Sequence, residues 1–233
     1  MLIITIFSLI VLLFSIIIHE IAHGSVALRL GDPTAKYAGR LTLNPIKHID
    51  PFGTIILPLL LVIIRSPFVI GWAKPVPINP YNFRDQKWGT LKVSVAGPGM
   101  NFLIGIIFSL INRFLPLSGE IKSNLMVSFI TGHQETLFSL LQSSLLAPIF
   151  FLFIIISIYN FAWGLFNLVP IPPLDGSHVL FTFLSEKFTK IKFFLQKYSL
   201  FILIFFIFLG GLNLIFKGAF SLYFLISGSP FVI

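Results

Sequence analysis

The sequence predicts an all-α fold: a polytopic helical membrane protein, built as a compact bundle of about four to six transmembrane segments. Two observations predict it. Of the 233 residues, 56% are hydrophobic and only 10% are charged. A water-soluble domain does not carry such a composition, because one face of each of its elements must meet solvent. The apolar residues are also gathered into runs near the roughly 20 residues that a helix needs to cross a bilayer. Divided among such spans, the length makes a single membrane-embedded domain over residues 1–233, with no appended soluble domain.

The first span is expected from about Leu2 to Leu30, stopped at Gly31-Asp32-Pro33, where glycine ends a helix and proline cannot continue one. No basic residue precedes it and its apolar character runs past residue 20, so it reads as a retained span and not as a signal peptide. Residues 34–50 are polar, with Tyr37, Leu41 and Leu43 at strand-like alternation, and are expected to form a short hairpin or a loop. Phe52 to Ile64 is apolar, short for a crossing and interrupted by Pro58, which suits a re-entrant or tilted segment. The prolines of Phe68 to Tyr81 (FVIGWAKPVPINPY) exclude a helix there and predict an extended loop. Further spans are expected near Leu91–Ile111, Leu137–Phe166 and Ser199–Phe216, with a short helix at Ser177–Leu184. Whether the tail from Phe220 crosses again is not decided by pattern.

Sixteen Lys and Arg stand against eight Asp and Glu, for a net charge of +8. In a soluble chain that balance would suggest nucleic acid; here it does not. The basic residues cluster between apolar runs at 29–47, 65–92 and 187–197, whereas 112–136 holds only Arg113 and Lys122. The richer loops are therefore placed in the cytoplasm and the first span ends there. There is no cysteine, so a metal in this chain must be held by nitrogen and oxygen.

Residues 19–23 read His-Glu-Ile-Ala-His. Two histidines one helical turn apart bind a metal on one face, zinc being the usual ion for this pattern. Glu20 points about 60° from His23 at roughly 100° per residue, near enough to take a proton from an attacking water without occupying a coordination position. Three ionisable residues packed into five positions of a span are costly unless they are paired or functional. A catalytic zinc needs a third protein ligand. Asp175, acidic among apolar neighbours and preceded by prolines, is either that ligand or the cap of the helix that follows; beside the first motif, the ligand reading leads. A zinc or other divalent cation transporter would also place histidine and aspartate inside a bundle, but it gives Glu20 no use and predicts an inverted repeat that is not found.

The chain resembles the site-2 proteases, intramembrane zinc metalloproteases, through three motifs in that family's order: HEIAH at 19–23, AGPGMN at 96–101 and NLVPIPPLDG at 167–176. GWAKPVP at 71–77 further resembles the compact branch without a PDZ domain, known from bacteria and archaea. The resemblance implies one zinc ion held by His19, His23 and Asp175, with Glu20 as catalytic base. It implies membrane-anchored protein substrates cut in or near their transmembrane segments, at the cytoplasmic side of a prokaryotic cell membrane. Asn167 matches an asparagine thought to hold the substrate carbonyl or its oxyanion, which a side-chain amide can do; its plain alternative is a helix cap or interhelix hydrogen bond. Gly71, Lys74 and Pro75 fall in the loop expected to steer substrate, by pairing exposed backbone with an unwound strand. Gly97 and Asn101 are assigned to close helix packing, His178 to packing or to supporting the ligands, and His48 and His133 to ordinary loop positions.

Overall fold

A computed structural model of the chain describes residues 2–64 and 73–228. The described residues contain helices and turns but no strand. In chain order the α-helices are α1 (Leu2–Arg29), α2 (Thr34–Tyr37), α3 (Leu57–Ile63), α4 (Gln86–Phe114), α5 (Gly119–Thr131) and α6 (Gln134–Gln142), then α7 (Leu146–Asn167), α8 (Asp175–Phe183), α9 (Thr189–Lys197), α10 (Ser199–Phe208) and α11 (Gly211–Ser227). Three are long and apolar enough to cross a membrane: α1, α4 and α7. The pair α9 and α10, bent by 69°, makes a fourth candidate if it is one broken span, and α11 is a shorter apolar helix.

The centre of the bundle is the packing of α4 on α7, with α1 and α11 each touching both. Apolar side chains gain little by leaving lipid for protein, so association must come from close packing and hydrogen bonds. Both are visible. Gly105 of α4 receives the Phe161 ring of α7 so closely that a Cβ would stand 2.5 Å from it. Further along α4, Asn112 donates to the Phe150 carbonyl at 3.1 Å and to the Tyr223 hydroxyl at 2.9 Å, joining α4, α7 and α11.

Several sequence expectations are corrected. The hairpin alternative for 34–50 is replaced by α2, turns and a 3-10 turn at Pro45–His48; Tyr37 is 83% exposed, so its alternation marks no buried face. The span expected at Leu137–Phe166 is two helices, because Ser143 bonds back to the Leu140 carbonyl and the Ser144 hydroxyl accepts from Leu146 N–H, offering the backbone an alternative to the helical ladder. The span expected at Ser199–Phe216 breaks at Gly210, whose φ of 87° interrupts the helical run between α10 and α11. The region 112–136 contains α5 and the start of α6, not a plain loop. Phe52–Ile64 folds as a short apolar segment, Pro51–Ile56 and then α3, too short to cross.

Candidate metal centre

The site lies where the C-terminal half of α1 meets the N-terminal half of α4 and the start of α8. His19 and His23 project from one face of α1 and are buried, with exposures of 3% and 6%. Asp175 begins α8, and its carboxylate caps nothing there. It turns instead to the imidazoles: Oδ2 lies 3.0 Å from His19 Nε2 and 3.2 Å from His23 Nε2, and the two Nε2 atoms are 2.9 Å apart. Gly176 makes this reach possible. A Cβ on it would stand 2.2 Å from the Leu168 carbonyl oxygen, so only glycine lets the start of α8 sit on the end of α7.

The donor set fits a zinc ion. Four ligands around zinc stand about 3.3 Å from one another when Zn–N is about 2.05 Å, and the observed triangle is slightly tighter. His23 Nδ1 faces the Val93 carbonyl at 2.6 Å, and His19 Nδ1 faces Asn101 Oδ1, also at 2.6 Å. Both acceptors call for the proton on Nδ1, which leaves each Nε2 a lone pair. Two lone pairs and a carboxylate oxygen then converge on one point, an arrangement that repels itself unless a cation lies within it. Space beside both imidazoles is kept open by Gly97, where a Cβ would stand 2.4 Å from His23 Nε2 and 2.6 Å from His19 Nε2.

This triad is the group of described residues able to hold a metal. Residues 7–210 match the family model for peptidase family M50. The chain belongs to peptidase family M50. Among its relatives is "Putative zinc metalloprotease YwhC" of Bacillus subtilis, 37% identical over 174 residues, which are 75% of this chain and 67% of YwhC. A second is "Zinc metalloprotease MJ0392" of Methanocaldococcus jannaschii, 24% identical over 185 residues, which are 79% of this chain and 36% of that protein. No solved structure matches the chain. The family makes the chain a zinc metalloprotease, and the transporter reading falls.

Beyond the three residues that could hold a metal, further named contacts shape the same region. A cavity of about 340 Å³ opens beside the triad, lined among others by Glu20, Pro75, Val76, Asn167 and His178. Glu20 Oε2 accepts the Val76 N–H at 2.7 Å. Val76 belongs to an extended strap, residues 73–79, held down at several backbone points. Lys74 N–H donates to the His48 carbonyl and Lys74 C=O accepts from Arg40 Nη2; Asn79 N–H donates to Asp32 Oδ2. Asp32, fully buried, also accepts from Thr34 and from Asn82 Nδ2. Burial pushes its carboxyl up, but these hydrogen bonds outweigh it and hold the pKa below the ordinary carboxylate value. Gly24 gives the strap its seat, since a Cβ there would meet Leu41 at 2.7 Å and Val76 at 3.0 Å.

Asn167 ends α7 with one amide N–H on the Trp163 carbonyl at 3.0 Å, and it lines the cavity. Pro75 also lines it, while the Lys74 side chain is exposed and Gly71 lies outside the described residues. His178 stands on the cavity wall but outside the group that could hold a metal. Three assignments change. Asn101 contacts His19 and does not merely pack, Gly97 makes room for two imidazoles, and His48 is 1% exposed and clamps the strap. The signal for Asn101 was its place five residues after Ala96 in a span, where a polar amide needs a partner; which partner was not readable.

Proposed function

We propose that this M50 peptidase hydrolyses peptide bonds in or beside the transmembrane segments of membrane-anchored proteins, with His19, His23 and Asp175 holding one zinc ion and Glu20 acting as general base. One observation carries the reading: the two imidazoles and the carboxylate meet within 3.2 Å among helices long and apolar enough to cross a membrane, with Glu20 on the same cavity. Zinc at this site lowers the pKa of a coordinated water towards about 7 and polarises a carbonyl.

The chain's own groups do the rest. The Val76 N–H takes one oxygen of Glu20 and aims the carboxylate, so that its other oxygen receives the proton as water adds to the substrate carbonyl carbon. The C–N bond then breaks, and the same carboxyl returns the proton to the departing amine. Asn167 has a second N–H, which can donate to the carbonyl oxygen as charge develops on it. A substrate helix has its carbonyls bonded internally and must unwind before attack, so helix-breaking residues near the cut favour cleavage.

The strap acts as a wall and a clamp for Glu20. Pro75 and Pro77 have no N–H, and those of Lys74, Val76 and Asn79 are engaged within the protein, so a substrate strand pairing with the strap would bond mainly to its carbonyls. The site faces the cytoplasm. Arg113 and Lys122, at the opposite end, are occupied on main-chain carbonyls that include those ending α4, whereas the site end carries the basic loops.

The test is Glu20→Gln in detergent, with a membrane-anchored substrate and mass mapping of products. Zinc content should match wild type while cleavage disappears; cleavage persisting in that variant refutes the base assignment.

A further inference from the structure

His23 and His19 are oriented by different means. His23 Nδ1 faces a main-chain carbonyl, which can only accept, so its proton has one place to go. His19 Nδ1 faces a side-chain amide, which could present either its oxygen or its nitrogen. Something must decide which, because an Asn101 turned over would move the His19 proton to Nε2 and block that atom for a metal.

The decision is made by a buried chain of hydrogen bonds across three helices. Asn101 Nδ2 donates to the Ser15 carbonyl of α1 at 3.1 Å and to Asn160 Oδ1 at 2.9 Å. Asn160 Nδ2 in turn donates to the Ile156 carbonyl of its own helix α7 at 2.9 Å. Asn101 and Asn160 are 0% and 2% exposed, so bulk water does not compete for either amide. The chain therefore starts and is braced on carbonyls that cannot donate. Ile156 fixes the sense of the Asn160 amide, Asn160 and Ser15 fix that of Asn101, and Asn101 Oδ1 is left for His19.

We propose that Asn101 and Asn160 are positioning residues that set the tautomer of His19, so that its Nε2 lone pair faces Asp175 and His23. The inference rests on the reading of His19 as a zinc ligand. It differs from interhelix adhesion in what it requires: adhesion needs any well-packed pair of amides, whereas positioning needs an acceptor at the Asn101 Oδ1 place.

The experiment measures zinc affinity of the purified full-length protein by chelator competition, beside the melting temperature of each metal-free variant. Asn101→Leu should bind zinc about 10 to 100 times more weakly than wild type, the usual effect of losing a partner that orients a ligand histidine. Asn101→Asp keeps an acceptor towards His19 but sets its second oxygen against the Ser15 carbonyl and Asn160 Oδ1, so zinc affinity should recover in part, to a value between those of Asn101→Leu and wild type. Asn160→Leu, farther from the rings, should lie between the two and serves where Asn101→Leu does not fold. Wild-type affinity in both Leu variants, or an Asn101→Asp that binds zinc no better than Asn101→Leu, overturns the inference. His19→Ala tests the underlying site separately: it should lose zinc, and if it retains wild-type affinity the ligand assignment itself fails.

Discussion

Gly97→Ala should empty the zinc site without unfolding the helix that carries the change. The added Cβ would stand 2.4 Å from His23 Nε2, 2.6 Å from His19 Nε2 and 2.7 Å from His19 Cε1, whereas ordinary contact begins at 3.4 Å. The methyl or the rings must therefore recede by about 1 Å, and zinc tolerates ligand displacements of only about 0.2 Å. Structural zinc sites with four ligands bind with about 10–16 kcal/mol, or roughly 3 kcal/mol per ligand, so losing one imidazole costs at least about a hundredfold in affinity. The helix itself should gain, because alanine is about 1 kcal/mol better than glycine in a helix interior. Gly99→Ala is the control two residues along α4, where a Cβ meets nothing within 4 Å. Zinc content after dialysis against buffered free zinc, with chelator competition for the affinity, should show Gly97→Ala metal-poor and Gly99→Ala like wild type. If Gly97→Ala binds zinc as tightly as wild type, the site is not where these rings converge.

Further predictions concern the strap and the bundle. Val76→Pro removes the N–H that Glu20 accepts and keeps an extended backbone; kcat should fall about 10- to 100-fold with zinc affinity unchanged, in line with about 1.5–3 kcal/mol for a charged hydrogen bond, and an unchanged kcat would remove the strap from the mechanism. Asp32 has a lowered folded-state pKa, so its contribution to stability is full above the unfolded value of about 3.9 and is lost as pH falls through the lower folded value. Asp32→Asn should consequently melt below wild type at pH 6, with the gap narrowing in thermal melts below about pH 4. Asn112→Ala removes the donor shared by the Phe150 carbonyl and the Tyr223 hydroxyl, and should destabilise the bundle by about 1–3 kcal/mol in detergent unfolding without altering zinc affinity.

The sequence by itself determined what repeats locally or is counted. Apolar runs marked the spans at α1, α4 and α7, the spacing of His19 and His23 placed both rings on one face of a helix, and the cysteine-free composition limited metal donors to nitrogen and oxygen. Asp175 was a candidate from its setting, but its choice between capping α8 and meeting the imidazoles depended on a partner 156 residues away. Only the tertiary structure decided that contact, along with the amide of Asn101 on His19, the missing side chain of Gly97 beside both rings and the Val76 N–H on Glu20. The reason is physical. A backbone N–H or carbonyl is present at almost every residue, and an absent Cβ is informative only beside what would collide with it. Where α10 gives way to α11 was hidden for a related reason: hydropathy is continuous through Gly210, and the break lies in its positive φ and not in its polarity. Periodicity reports the face a residue occupies, whereas the groups that aim the ligands are chosen by which helices come together across the bundle.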